Sequence, residues 1–388
     1  MSEPSLPYSR QVIDDDDIAA VAAALRGEFL TTGPLIDEFE AALAGVTGAR
    51  EAVVFANGTA ALHSACFAAG VSPGDEIVTS AISFAASANC GAYLGATPRF
   101  ADIDPVTVNV DPASIAALNS PRLRAVLPVD FGGLPIDPSA IVAASGGAAV
   151  IEDAAHGLGA RYADGTPVGS CPAGIEMTAF SFHPVKSITT GEGGAVTTND
   201  SGLADMMRRF RHHGIERDRS KFVGDDAGVV DGPWYHEMHD LGFNYRITDF
   251  QCALGLSQLR KLDGFVESRN EIAAWYRDRL APLDEVTLPA AATGDGRHAY
   301  HLFAIRVPSA KRRGVFDALR ADGIGVQVHY LPIYRHPWYR TTFGTKAGMC
   351  PNAEAYYAGA ISIPMFPGMT KDDVERVALS LERALRET

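Results

Sequence analysis

Short apolar runs recur along the first half of the chain, each followed by a stretch with helical spacing. That alternation constrains the fold more than any other feature of the sequence. Residues 52–57 (AVVFAN) and 76–82 (EIVTSAI) open the series, and PRFADI, RAVLPVDF, AAVIEDAA, EMTAFSFH and GAVTTN continue it. Residues 58–69, IDPSAIVAASGG and LADMMRRFRHHG lie between them with helical periodicity. Strands that are apolar throughout leave no face for water, so the pattern predicts a mostly parallel sheet with helices on both sides. Ligands of such sheets gather at the carboxyl ends of the strands, which makes the polar residues just after each run the ones to read for chemistry.

A chain of 388 residues suggests two domains. Near Ile247 the pattern changes to a long, charge-laced helical stretch reaching residue 280. A strand at 300–307, a helix at 311–321, a strand at 325–330 and a helix from Thr370 follow. The architecture expected is α/β, with a large domain over residues 1–255 and a smaller C-terminal α+β domain over 256–388. The polar stretch between Glu216 and Asn244 reads as a long functional loop.

What is missing narrows the function. Thirty-three Lys and Arg against 47 Asp and Glu leave a net charge of −14, which argues against a general nucleic-acid binder. Five scattered cysteines without a CxxC pair argue against a disulfide framework or a zinc site, and fit a reducing cytoplasm. The N-terminus lacks the pattern of a signal peptide, and no apolar run is long enough to span a membrane. Gly157-Leu158-Gly159 has Tyr162 where a dinucleotide fingerprint needs its third glycine, and no Gly-Lys dipeptide allows a Walker loop. His212 and His213 are adjacent and do not share a helix face, so no metal is expected there. The run from Asp14 to Asp17 precedes an apolar helix and reads as compensation of its dipole.

Three strand-end clusters remain. Asn57-Gly58-Thr59 stands at a strand–turn–helix junction, where free N–H groups and a hydroxyl could cradle an anion or simply cap the helix. Glu152-Asp153-Ala154-Ala155-His156 ends a buried strand with carboxylates, which need a cationic partner there. Ser181-Phe182-His183-Pro184-Val185-Lys186 places one lysine in a segment otherwise short of charge, ahead of TTGEGG. A partly desolvated lysine loses its proton readily and attacks carbonyls. Together the three supply a phosphate site, an acid for a pyridinium nitrogen and an amine for a Schiff base, the set that pyridoxal phosphate requires.

With SFHPVK…TTGEGGAV, EDAAH, NGTAAL and GFNYRITDFQCALGLSQL, nearly the whole chain resembles the DegT/StrS-type nucleotide-sugar aminotransferases. These are fold-type I enzymes that use pyridoxal 5′-phosphate. Within them, SFHPVKSITTGEGG, AYHLFAIRV and VQVHYLPIYRHPWYRTTF are most similar to the 4-aminotransferases of the pseudaminic acid pathway. The resemblance implies that Lys186 forms the Schiff base and moves the proton, and that Asp153 pairs with the ring nitrogen. Phe84 and Ala155 would lie against the ring faces, and His156 would support the O3′ side. Gly58, Thr59 and Ser181 would hold the phosphate, while Asn244 would reach the phosphate in the neighbouring subunit of a homodimer. Tyr8, Arg246, His329 and Tyr330 would contact a nucleotide-linked keto sugar, with L-glutamate as amino donor. Ala155 departs from relatives that carry serine, and so lacks their hydroxyl.

Three other readings compete. One is amination at C3 of the sugar, and another is a sugar dehydratase on the same fold, against which the retained lysine argues. The last is a DNA-binding regulator using MMRRFRHHG, a segment that reads equally as a solvated helix face.

Overall fold

The computed structural model describes residues 5–224 and 232–388. Seven strands form the main sheet: β1 (Glu51–Phe55), β2 (Glu76–Ser80), β3 (Thr97–Ala101), β4 (Leu123–Leu127), β5 (Ala149–Asp153), β6 (Met177–Ser181) and β7 (Gly194–Thr198). Their order across the sheet is β1-β7-β6-β5-β4-β2-β3. Neighbours from β3 to β6 pair in parallel, whereas β7 runs antiparallel to both β6 and β1. The expected mostly parallel sheet is present, with β7 as its one reversed strand. The reversal follows from the connection: β6 returns as β7 through a loop, with no crossover helix. Lys186 sits in that loop.

Alternate residues on each strand enter different cores. Val54, Val78, Val126, Val150 and Phe180 pack on one face with Phe39 and Leu43 of helix Pro34–Thr47 and Cys252 of helix Asp249–Leu259. Val53, Phe55, Ile77, Leu127, Ile151 and Val196 pack on the other with helices Gly58–Ala68 and Ser201–Phe210. Both faces are dry, as continuous apolar runs require.

Past residue 247 the structure departs from the sequence reading in two places. The single long helix expected is two, Asp249–Leu259 and Leu262–Leu280, with the break at Arg260 and Lys261. The strand expected at 325–330 is irregular backbone, and Phe303–Arg306 pairs antiparallel with Ala360–Ile363 instead. The 325–330 segment keeps one bridge, Gln327 to Ser362, while Ile324 bridges to Leu6. These elements enclose another core with Ile272, Tyr276, Leu319, Val377 and Leu381. Helix Leu262–Leu280 serves both, its Val266 in the sheet core and its Ile272 in the other. Thr370 caps the last helix, Lys371–Glu387, by accepting from Asp373 N–H.

Asp14 and Asp17 form a capping box on helix Asp15–Arg26, and Lys261 pairs with both. All five cysteines are free and buried. The long polar loop includes residues 225–231, which lie outside the described residues. Among the described residues no helix is long and apolar enough to cross a membrane, and no cluster of His, Cys, Asp and Glu could hold a metal.

Candidate active site

A cavity of about 1080 Å³ opens at the carboxyl ends of the sheet strands. Of the thirteen residues singled out from sequence, eleven line it: Tyr8, Gly58, Thr59, Phe84, Asp153, Ala155, His156, Ser181, Lys186, His329 and Tyr330. Asn244 and Arg246 do not. Asn244 is exposed, between Phe243 and Tyr245 of the cavity wall. Arg246 lines a separate cavity with Arg208 and Arg211, where its Nη1 lies 2.8 Å from His212 Nδ1.

The anion cradle is built by the start of helix Gly58–Ala68. Asn57 is extended and its Oδ1 accepts from Ala60 N–H at 2.9 Å, so capping is part of its use. The cap leaves the Gly58–Thr59 corner against the cavity, and a helix N-terminus there favours anions. Two glycines make the corner possible. A Cβ on Gly58 would come to 3.0 Å of Ser181 Cβ, and one on Gly194 would come to 2.7 Å of the Asn57 carbonyl and Gly58 N. Gly194 thus lets β7 approach the helix entry that presents the cradle.

Asp153 ends β5 and is buried. Burial raises its carboxyl above the usual range, and the Ser87 hydroxyl, the Ala155 N–H and the Lys186 charge oppose that rise. Lys186 is partly buried. Loss of water around its ammonium brings it down to about 8, with the Asp153 carboxylate pulling the other way. A lysine so placed is about one-tenth free amine at neutral pH, far more than an ordinary lysine, and the free amine is the form that attacks an aldehyde.

His156 is neutral, pushed well below its ordinary value by burial and then by Lys186 and His329. Gly132 N–H donates to its Nδ1 at 3.2 Å, which places the ring proton on Nε2, 3.4 Å from Tyr330 Oη. Tyr8 and His329 face each other with ring centroids 5.7 Å apart, and His329 Nδ1 lies 2.8 Å from Ser362 Oγ. Phe84 is 63% exposed on the cavity wall, its ring centroid 6.3 Å from that of Tyr330.

Sequence reasoning missed several wall residues. Ser87 bonds Asp153 and Ser83 bonds Ser87, His301 packs on His156 with centroids 4.2 Å apart, and His63, Tyr93, Phe243 and Tyr245 form an aromatic wall. SFAASANC directly follows the β2 run, and its small hydroxyl residues at a strand end were the available signal. The basic segment of helix Ser201–Phe210 is spent internally. Arg208 pairs with Glu40 and Glu51, Arg209 with Asp240, and Arg211 with Glu40. A DNA-reading role for it is not supported.

An amine near its titration point, a buried acid and a backbone cradle in one cavity define an aldehyde-cofactor enzyme on an α/β sheet. Comparison with known proteins identifies which. The DegT/DnrJ/EryC1/StrS aminotransferase family model matches residues 11–382, and the chain belongs to that family. It is 39% identical over 379 residues to the spore coat polysaccharide biosynthesis protein SpsC of Bacillus subtilis strain 168, covering 96% of this chain and 95% of SpsC. Among solved structures it is similar to Helicobacter pylori PseC, an aminotransferase of pseudaminic acid biosynthesis. That match has a TM-score of 0.88 and 30% identity, covering 99% of this chain and 100% of the other. It is also similar to DesI, solved in the presence of its TDP-sugar product, with a TM-score of 0.86 and 30% identity over 100% and 94% of the two chains.

The protein is a sugar aminotransferase, and its cofactor is pyridoxal 5′-phosphate. The cavity fits that group in each part: amine for aldehyde, acid for ring nitrogen, glycine-lined corner for phosphate.

Proposed function

We propose that the enzyme moves the amino group of L-glutamate to the C4 carbonyl of a nucleotide-linked keto sugar, in two half-reactions that share one cavity. The observation that carries this reading is the single cavity that Lys186 shares with the buried Asp153 and the Gly58–Thr59 corner. PseC, similar over the whole chain, and DesI, with its nucleotide-sugar product, support the substrate class. Fold alone would not, because one fold hosts many chemistries.

Bound pyridoxal phosphate supplies an aldehyde for amine exchange and a ring that accepts electrons. Lys186 Nζ would hold that aldehyde when no substrate is present, and would take up and return one proton in each half-reaction. The Asp153 carboxylate would keep a proton on the ring nitrogen, which strengthens the ring as an electron acceptor. Gly58, Thr59 and Ser181 would hold the phosphate, and Phe84 and Ala155 would lie against the ring. His156 would offer Nε2–H toward the O3′ side. Tyr8, His329 and Tyr330 line the sugar's approach.

Asn244 and Arg246 lie outside their own subunit's cavity and serve a partner's in a homodimer. The exposed Phe243 and Tyr93 beside them would be covered by that partner.

Incubation with glutamate and a panel of 4-keto and 3-keto nucleotide sugars, reading 2-oxoglutarate release, tests the substrate. NMR of the product fixes the aminated carbon, and nitrogen at C3 would refute the regiochemistry. Mixing inactive K186A and N244A proteins tests the shared site. Activity should reappear on mixing, and its failure to do so would remove Asn244 from the partner's cavity.

A further inference from the structure

Behind Asp153 lies a pair of acids that the reaction does not use. Glu152 precedes Asp153 on β5 and so points to the opposite face of the sheet. Asp130 follows β4 on the neighbouring strand path, where Val129 bridges to Asp153. Both side chains are fully buried. Glu152 Oε2 accepts from Tyr162 Oη at 2.6 Å and Thr178 Oγ1 at 2.9 Å, and Asp130 Oδ1 accepts from Ile136 N–H at 3.0 Å. That leaves Asp130 Oδ2 and Glu152 Oε1 without a donor. The Val129–Asp153 bridge sets Asp130 and Glu152 on neighbouring backbones, and each carboxyl shifts the other's proton affinity. Two buried acceptors that face each other with no donor between them are untenable unless one carries a proton.

We propose that Asp130 is a carboxylic acid at neutral pH, its Oδ2 proton donated to Glu152 Oε1, and that this pair positions the cavity by clamping the turn after β4 to the end of β5. The assignment of the proton follows from the partners. Glu152 has two hydroxyl donors that favour its charge, whereas Asp130 has one backbone N–H. Burial and the Glu152 charge drive Asp130 well above the carboxylate range, with Asp153 adding to both. Tyr162 and Cys171 also face the pair, and both stay neutral, raised chiefly by burial.

The clamp reaches the reacting groups through short paths. Asp130 N–H donates to the Asp153 carbonyl at 3.1 Å, and Gly132 N–H sets the His156 tautomer. Gly157 has its use here: any side chain on it would run into Asp130 Oδ2. The glycine that fails as part of a dinucleotide motif makes room for the acid pair.

The positioning claim rests on the roles proposed for Asp153 and His156, but the proton claim does not, and infrared spectroscopy of the apoprotein separates them. At about pH 8, well above ordinary carboxylate values, wild type should show a protonated-carboxyl band that shifts in D₂O. The band should be lost in D130N and retained in D153N. Its absence from wild type, its survival in D130N, or its loss in D153N alone would overturn the proton assignment. For positioning, D130N keeps a donor toward Glu152 and D130A has none. Cofactor affinity should fall at least about tenfold in D130A and stay within about threefold in D130N. Equal losses in both variants would overturn the clamp.

Discussion

Ser87 Oγ donates to Asp153 Oδ2 at 2.5 Å. Its one proton goes to the carboxylate in preference to the Phe84 carbonyl at 3.2 Å, so Ser83, 2.7 Å away, donates to Ser87 in turn. The relay stabilises the ionised form of an acid that burial would otherwise neutralise. Removing it in S87A should let Asp153 rise further, moving the acid limb of the kcat/KM profile up by about one pH unit. An unmoved limb would show that Asp153 does not govern it.

Lys186 gives a second pH signature. Its ammonium is disfavoured in the fold, so the free amine appears as pH rises through about 8. The rate at which apoenzyme captures the cofactor aldehyde should climb with that midpoint and level off above it. An ordinary lysine would still be rising near about 10. K186A should lose the visible band of the bound cofactor and at least about 10³-fold in turnover. Stopped-flow absorbance reads both.

Asp153 should set function against stability. Its carboxyl is raised in the fold, so folding binds its proton more tightly than the unfolded chain does. That contribution is full below the ordinary carboxylate value near about 4, and is lost as pH climbs through the raised one. At neutral pH apo D153N should therefore unfold with a gain on the order of 1 kcal/mol, and the gain should vanish toward acid pH. Turnover should drop by at least about 10²-fold. Denaturant melts across pH read the first, and steady-state kinetics the second.

Two glycines make a matched pair. Gly194→Ala would force β7 off Asn57 and Gly58, so about 1–3 kcal/mol of stability and much of the cofactor affinity should go. Gly264 sits in helix Leu262–Leu280 with open space around it, and Ala there should stabilise by up to about 1 kcal/mol. Thermal melts with and without cofactor distinguish the two.

The sheet was legible because its strands are apolar throughout. AVVFAN and EIVTSAI mark β1 and β2 to within two residues, and the helix read at 58–69 is observed at Gly58–Ala68. The cavity was legible because each cluster directly follows such a run. Less visible was anything decided by pairing at a distance. Residues 325–330 look like a strand, yet Ala360–Ile363 takes the ladder beside Phe303–Arg306. Ser87 is hinted at only by the small hydroxyl residues after β2, and its bond to Asp153 at the end of β5 is what gives it a use. Glu152 stands out in the sequence only as the neighbour of Asp153, and Asp130 does not stand out until adjacent strands bring the two together.

The reversed strand also sets an order of events during synthesis. Among the described residues β1 pairs with β7 alone, from Phe55 against Gly194, and β2 to β6 come between them in the chain. The corner at Gly58 is therefore among the first segments to leave the ribosome and among the last to gain its support. A nascent chain stopped before Gly194 has no finished seat for the coenzyme, so vitamin B6 can act as a late check on completed molecules but not as a template for unfinished ones.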